Sequence, residues 1–175
     1  MYFFEDFKPG DAFELGTVTV TADEIVAFGE RYDPQPFHVD PELAAASPYG
    51  GLIASGWQTA GLFMRRYVDG LLADSACVGS PGVDEIRYHR PVRPGDVLTA
   101  RVRVVGAAPS LGRPSTGIVQ PRCELTDSEG RLVFSMILHS IFERRLTRNG
   151  GGTPLSVDPV HPGPAQPVPA AWTPA

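Results

Sequence analysis

Asp33 and His38 stand five residues apart with Pro34 and Pro36 between them. Proline fixes its own φ and restricts the residue before it, so this loop holds a carboxylate and an imidazole together at reduced entropic cost. An unperturbed histidine titrates near ~6.5, and a neighbouring carboxylate can orient its ring, so the pair suits general acid–base work on water. Downstream, Ile53-Ala54-Ser55-Gly56 opens a segment of helical length. The free N–H groups of a helix start can stabilise a developing oxyanion, and Gly56 has no side chain to block approach.

These groups need elements to position them. Thr21-Ala22-Asp23-Glu24 is a capping-box signature. Ile25, Phe28, Gly29 and Tyr32 then fall on one side of a helix that Pro34 and Pro36 prevent from continuing, so Asp33 sits at its exit. Alone, Asp33 could simply end that helix, His38 could be a loop residue, and Gly56 could serve tight packing. Asp40-Pro41 starts a second short helix, with Asp40 as its cap. From Ser55 to about Asp69 the sequence supports a long helix whose first two turns carry no charge, the pattern of a buried helix. Trp57, Phe63 and Met64 are expected in the core or along a tunnel.

The remainder reads as strands. Phe13, Leu15, Val18 and Val20 mark an opening strand, and residues 97–104 alternate in polarity with period two. Residues 83–90, 116–126 and 132–143 complete the set, with a Pro94-Gly95 turn and a hairpin at residues 127–130. Pro121 places its strand at an edge or a bulge. Strand, helices and a strand meander give an α+β domain, an antiparallel sheet packed on one long helix.

Composition bounds the partners. The chain has 175 residues, 42% hydrophobic and 20% charged, with a formal net charge of -5 and no basic run, which argues against nucleic acid. Cys77 and Cys123 lie far apart with no C-x-x-C pairing, so they are expected as free thiols in a reducing compartment. No export signal is visible, and polar residues interrupt the uncharged stretch 43–64, so a cytoplasmic protein without a membrane span is expected. His89 and His139 have no second histidine at ligand spacing and are expected as sheet-surface or packing residues, with no metal or other cofactor. Arg65, Arg66, Arg87, Arg90 and Arg93 could meet phosphates or simply be solvated. One domain over 1–146 is expected, followed by a Pro/Gly-rich, disordered tail over 147–175 that holds seven prolines.

The joint pattern resembles the MaoC-like dehydratases and (R)-specific enoyl-CoA hydratases. It comprises Asp33, His38 and Asp40, then Ala44-Ala45-Ala46, Gly50-Gly51 and Ile53-Ala54-Ser55-Gly56, and later Arg90-Pro91-Val92-Arg93-Pro94-Gly95-Asp96. The resemblance implies a hot-dog fold, in which the antiparallel sheet wraps the long helix, and a homodimer. It implies hydration of a trans-2-enoyl thioester of coenzyme A or a carrier protein, or the reverse dehydration. Asp33 and His38 would hold and deprotonate water, and the Gly56 N–H would bind the thioester oxygen. Three positions depart from the family pattern: Gln35 stands for an Asn, Ser55 for a His, and Met64 for a supporting Ser. Two alternatives on the same fold are a thioesterase, against which the absence of an acid between Gly56 and Val68 counts, and a non-catalytic acyl-thioester-binding subunit.

Overall fold

The computed structural model describes residues 1–145, so the expected tail over 147–175 and the last residue of the 1–146 unit lie outside the described residues. Five antiparallel strands form one sheet: β1 (Ala12–Thr19), β2 (Cys77–Tyr88), β3 (Val97–Pro109), β4 (Thr116–Thr126) and β5 (Leu132–Glu143), in the order β1-β3-β4-β5-β2. Four α-helices lie between β1 and β2: α1 (Ala22–Tyr32), α2 (Pro36–Val39), α3 (Pro41–Ala46) and α4 (Gly56–Gly70).

The sheet wraps α4 because each presents an apolar face to the other. Thr59, Phe63 and Tyr67, four residues apart, form the buried side of α4, and Leu98, Ala100, Val102 and Val104 alternate inward along β3. Phe134 and Phe142 from β5 complete the same cluster. Tyr67 keeps its hydroxyl paired inside this core, 3.2 Å from Ser140 Oγ, as a buried phenol requires. Gly70 lets α4 close on β1, because a Cβ there would lie 3.1 Å from the Leu15 backbone.

Several expectations need correction. The helix carrying Gly56 is not buried all round: Trp57 is 66% exposed and Val68 41%, because the sheet covers only one side of α4. Tyr32 is likewise 62% exposed, so the buried side of α1 is Ile25 and Gly29. Pro121, expected at an edge or a bulge, lies at a bulge within the central strand. The lost N–H is accommodated opposite a bulge, since Val104 pairs with Pro121 and Gly106 with Gln120, leaving Val105 unpaired between them. Both cysteines are free, as the spacing suggested. Among the described residues, no helix is long and apolar enough to cross a membrane.

Candidate active site

The site is assembled by the ends of three helices. The capping box at the start of α1 forms as the sequence indicates, with Thr21 Oγ1 accepting from Glu24 N–H. Asp33 is the C-cap of that helix, its N–H donating to Gly29 O at 2.9 Å. The following segment is not a plain loop: Pro36 occupies the first turn of α2, and His38 sits on that turn. Gly29 makes the arrangement possible, because a Cβ there would come within 2.8 Å of Val39 and 3.1 Å of the His38 backbone oxygen.

His38 is 4% exposed and its ring orientation is fixed by one bond. Nδ1 lies 2.7 Å from Ile53 O. A carbonyl only accepts, so Nδ1 is the donor to it and Nε2 is the ring nitrogen left to face the site. That nitrogen is 3.4 Å from Asp33 Oδ2. The Ile53 segment is held in turn by Ile53 N–H to Phe37 O at 3.1 Å and Ala54 N–H to Val92 O at 2.8 Å. It therefore brings Ser55 and Gly56 against the pair.

Asp33 accepts two side-chain hydrogen bonds: Gln35 Nε2 donates to Oδ1 at 2.8 Å and Ser55 Oγ donates to Oδ2 at 2.7 Å. Bonds of this kind favour the ionised form. The Gln35 amide first, then the Ser55 hydroxyl, hold the carboxyl below its ordinary value against the opposing effect of burial, and the neighbouring His38 adds to the lowering. Asp33 is thus a carboxylate throughout the neutral range. Of the departures noted in the sequence, Gln35 and Ser55 both hold Asp33, while Met64 packs beside the core.

Ser55 is 1% exposed and has a second task as the N-cap of α4, where its Oγ accepts from Trp57 N–H at 3.2 Å. Gly56 follows immediately, and its N–H has no hydrogen-bond partner among the described residues. Asp33, His38 and Gly56 line one cavity of about 490 Å³, a size suited to a small-molecule site. Its walls include Phe37, Trp57, Tyr88, His89 and Arg90.

Ser55→Ala is expected to remove the donor to Asp33 and the cap together. The cap costs about 0.5–2 kcal/mol of stability. Asp33 then titrates closer to its ordinary value, so the acid limb of any activity that needs the carboxylate moves to higher pH, and Ser55→Thr restores it. The sign follows from the depressed folded value: the ionised form, and the stability it contributes, are present above the unfolded value and lost as pH falls through the lowered one. A pH profile of Ser55→Ala identical to that of the parent would reduce Ser55 to a helix cap.

The structure brings Asp33, His38 and Gly56 together. Sequence reasoning missed His89 and Tyr88 as wall residues. His89 was expected on the sheet surface or in packing, yet it lines the cavity with Nε2 2.9 Å from Ser135 Oγ. Their position directly before Arg90-Pro91 at the end of β2 was the only available signal, and β2 reaches the site only through its pairing with β5. Of the arginines, Arg90 lines the cavity, Arg93 donates to Tyr49 O, and Arg65 and Arg66 pair with Asp69 at the far end of α4. His139 donates to Asp84 away from the cavity, at 2.7 Å. Among the described residues, no group of three or more His, Cys, Asp or Glu could hold a metal ion.

Residues 6–120 match the family described as MaoC like domain. The (R)-specific enoyl-CoA hydratase of Rhodospirillum rubrum is 29% identical over 117 residues, covering 62% of this chain and 74% of that one. A solved structure of a MaoC-like dehydratase from Rhodospirillum rubrum superposes with a TM-score of 0.77 at 37% identity, covering 84% of this chain and all (100%) of that one. A Mycobacterium tuberculosis protein described as having a double hot-dog fold gives a TM-score of 0.70 at 23% identity, over 86% of this chain and 46% of its own. The fold is therefore the hot-dog fold.

Proposed function

Because this chain belongs to the MaoC-like domain family, we propose that it adds water to a trans-2-enoyl thioester, or removes water from the 3-hydroxyacyl thioester, with Asp33, His38 and Gly56 as the reacting site. One observation carries this reading: Asp33 Oδ2 and His38 Nε2 lie 3.4 Å apart, beside a free N–H at a helix start. In its neutral form, the form the proposed reaction uses, the ring offers Nε2 as an acceptor, and two acceptors cannot bond each other. A water molecule can donate one hydrogen to each, which leaves its oxygen lone pair directed at a substrate.

The reaction then balances as follows. The water oxygen bonds the β-carbon, the α,β double-bond electrons move toward the carbonyl, and the resulting enolate oxygen accepts from Gly56 N–H at the positive end of α4. The water proton passes to His38 Nε2, because Asp33, already bonded by two donors, is the weaker base. Asp33 stabilises the imidazolium at 3.4 Å. The proton returns to the α-carbon, giving the 3-hydroxyacyl thioester. No redox step is involved, and the proposed chemistry calls on no cofactor. The acyl carrier is coenzyme A or a carrier protein.

A second copy of the chain is the partner we infer. Strand β2 is an edge of the sheet, and Val78 and Val83 on it are 49% and 43% exposed. An exposed apolar edge strand is a template for further pairing, which a homodimer closes. Tyr88 at the end of β2 is also a wall of the cavity, so the interface and the site are neighbours. The same chemistry fits a cytoplasmic enzyme of acyl-thioester metabolism.

The test is incubation with a trans-2-enoyl-CoA while enoyl absorbance and free thiol are followed together. Hydration predicts absorbance loss without thiol release. Thiol release indicates the thioesterase, a reading with less support since Asp69, the acid of α4, is engaged by Arg65 and Arg66. Binding with neither change indicates an acyl-thioester-binding subunit.

A further inference from the structure

Behind the reacting groups the cavity meets a continuous row of aromatic rings. Tyr88 lies over the tip of α4: a Cβ built at Gly56 would be 2.6 Å from its Cζ. The Tyr88 ring packs on Phe134 at 5.7 Å between centroids, Phe134 on Phe63 at 6.2 Å, and Phe63 on Tyr67 at 5.8 Å. Phe63 and Phe134 are 0% exposed and Tyr67 1%, whereas Tyr88 at the head of the row is 48% exposed. Of the inward face of α4, only Thr59 reaches the cavity, and its hydroxyl is tied to Ser55 O at 3.1 Å.

We propose that this row limits the substrate to a short acyl chain, of about four carbons, with Tyr88 and Phe63 as the residues that set the limit. The inference rests on the hydration reading above. A thioester whose oxygen meets Gly56 N–H and whose β-carbon faces the Asp33–His38 pair sends its remaining carbons either between α4 and the sheet or back toward the open side near Trp57. The first path is filled by rings packed at interior density, which leaves no room for methylenes. The second leads to exposed surface, Trp57 being 66% exposed, where added methylenes stay in water and gain no affinity. A tail that entered a closed apolar tunnel would instead bind about four-fold tighter per methylene.

Hydration rates for trans-2-butenoyl-, octenoyl- and dodecenoyl-CoA, together with calorimetric binding of butyryl- and octanoyl-CoA, test the proposal. The expected kcat/KM falls at least 10-fold from butenoyl to octenoyl, and octanoyl-CoA binds no tighter than butyryl-CoA. Phe63→Leu, a mild change at a residue that does not line the cavity, raises the octenoyl rate at least 10-fold with the butenoyl rate little altered. Tyr88→Ala, at a half-exposed position, moves the preference the same way. Equal or better use of octenoyl-CoA by the parent protein overturns the length limit and leaves the hydration reading standing. A short-chain preference that neither variant relaxes overturns the assignment to the row. Hydration of none of the three, with butyryl-CoA still preferred in binding, contradicts the hydration reading and keeps the length limit as a property of binding. Absence of both overturns the two together.

Discussion

Asp33→Asn is expected to lower enoyl-thioester hydration by about 10²–10⁴-fold, the usual contribution of a positioned acid–base group, with a thermal midpoint close to that of the parent. The carboxylate accepts from Gln35, Ser55 and, in the proposed reaction, water; an amide has one accepting oxygen and loses the charge that stabilises an imidazolium. The fold is little affected because Asp33 terminates α1 through its backbone N–H to Gly29 O, a bond that Asn retains. Its side chain is also 22% exposed, so the two donors released from it have water within reach. Steady-state kinetics with an enoyl-CoA and a melting curve decide the matter. A variant that melts normally and hydrates at the parental rate removes Asp33 from the chemistry.

His38→Ala is expected to lose activity to the same extent and to lose stability as well. Alone, His38 could have been a loop residue; the structure instead buries it. Its ring is buried, edge-on to Phe37 at 4.6 Å, and is the donor to Ile53 O. Truncation leaves that carbonyl without its donor in a buried setting, at about 1–3 kcal/mol, besides the lost packing. His38→Asn separates the two effects, since its amide can donate where Nδ1 does but offers no base at the Nε2 position. The melting midpoint is expected to recover and the activity is not. The double variant Asp33→Asn/His38→Ala is expected to be no slower than the slower single variant, because groups that act as a unit are not additive. Multiplied losses would mean that the two act separately.

Local rules were legible in the sequence where the physics is local. The Thr21–Glu24 capping box, the Asp40 cap, the strands over 116–126 and 132–143 and the turn at Gly95 each depend on neighbouring residues, and each forms. The Asp33–His38 pair was also visible, because prolines and a five-residue spacing constrain it. Contacts set by the sheet were not. Pro121 pointed to an edge or a bulge, the places where a missing N–H is tolerated; only the pairing with β3 decides for the bulge. Trp57 looked buried because charge is absent from its helix turn, but absence of charge does not specify which side a sheet covers. Tyr88 and Gly56 are 32 positions apart in the chain, and nothing in either neighbourhood signals that one ring rests on the other. Ser55 illustrates an intermediate case. Its place in the motif, where the family has a His, was readable, whereas its bond to Asp33 required the end of α1 and the start of α4 to meet.

The most direct measurement is a high-resolution crystal structure with a saturated acyl-CoA bound. The account predicts one ordered water within hydrogen-bond reach of both Asp33 Oδ2 and His38 Nε2, facing the β-carbon, and the thioester oxygen about 2.7–3.1 Å from the Gly56 nitrogen. A thioester oxygen held elsewhere, or a β-carbon that faces neither Asp33 nor His38, would contradict it.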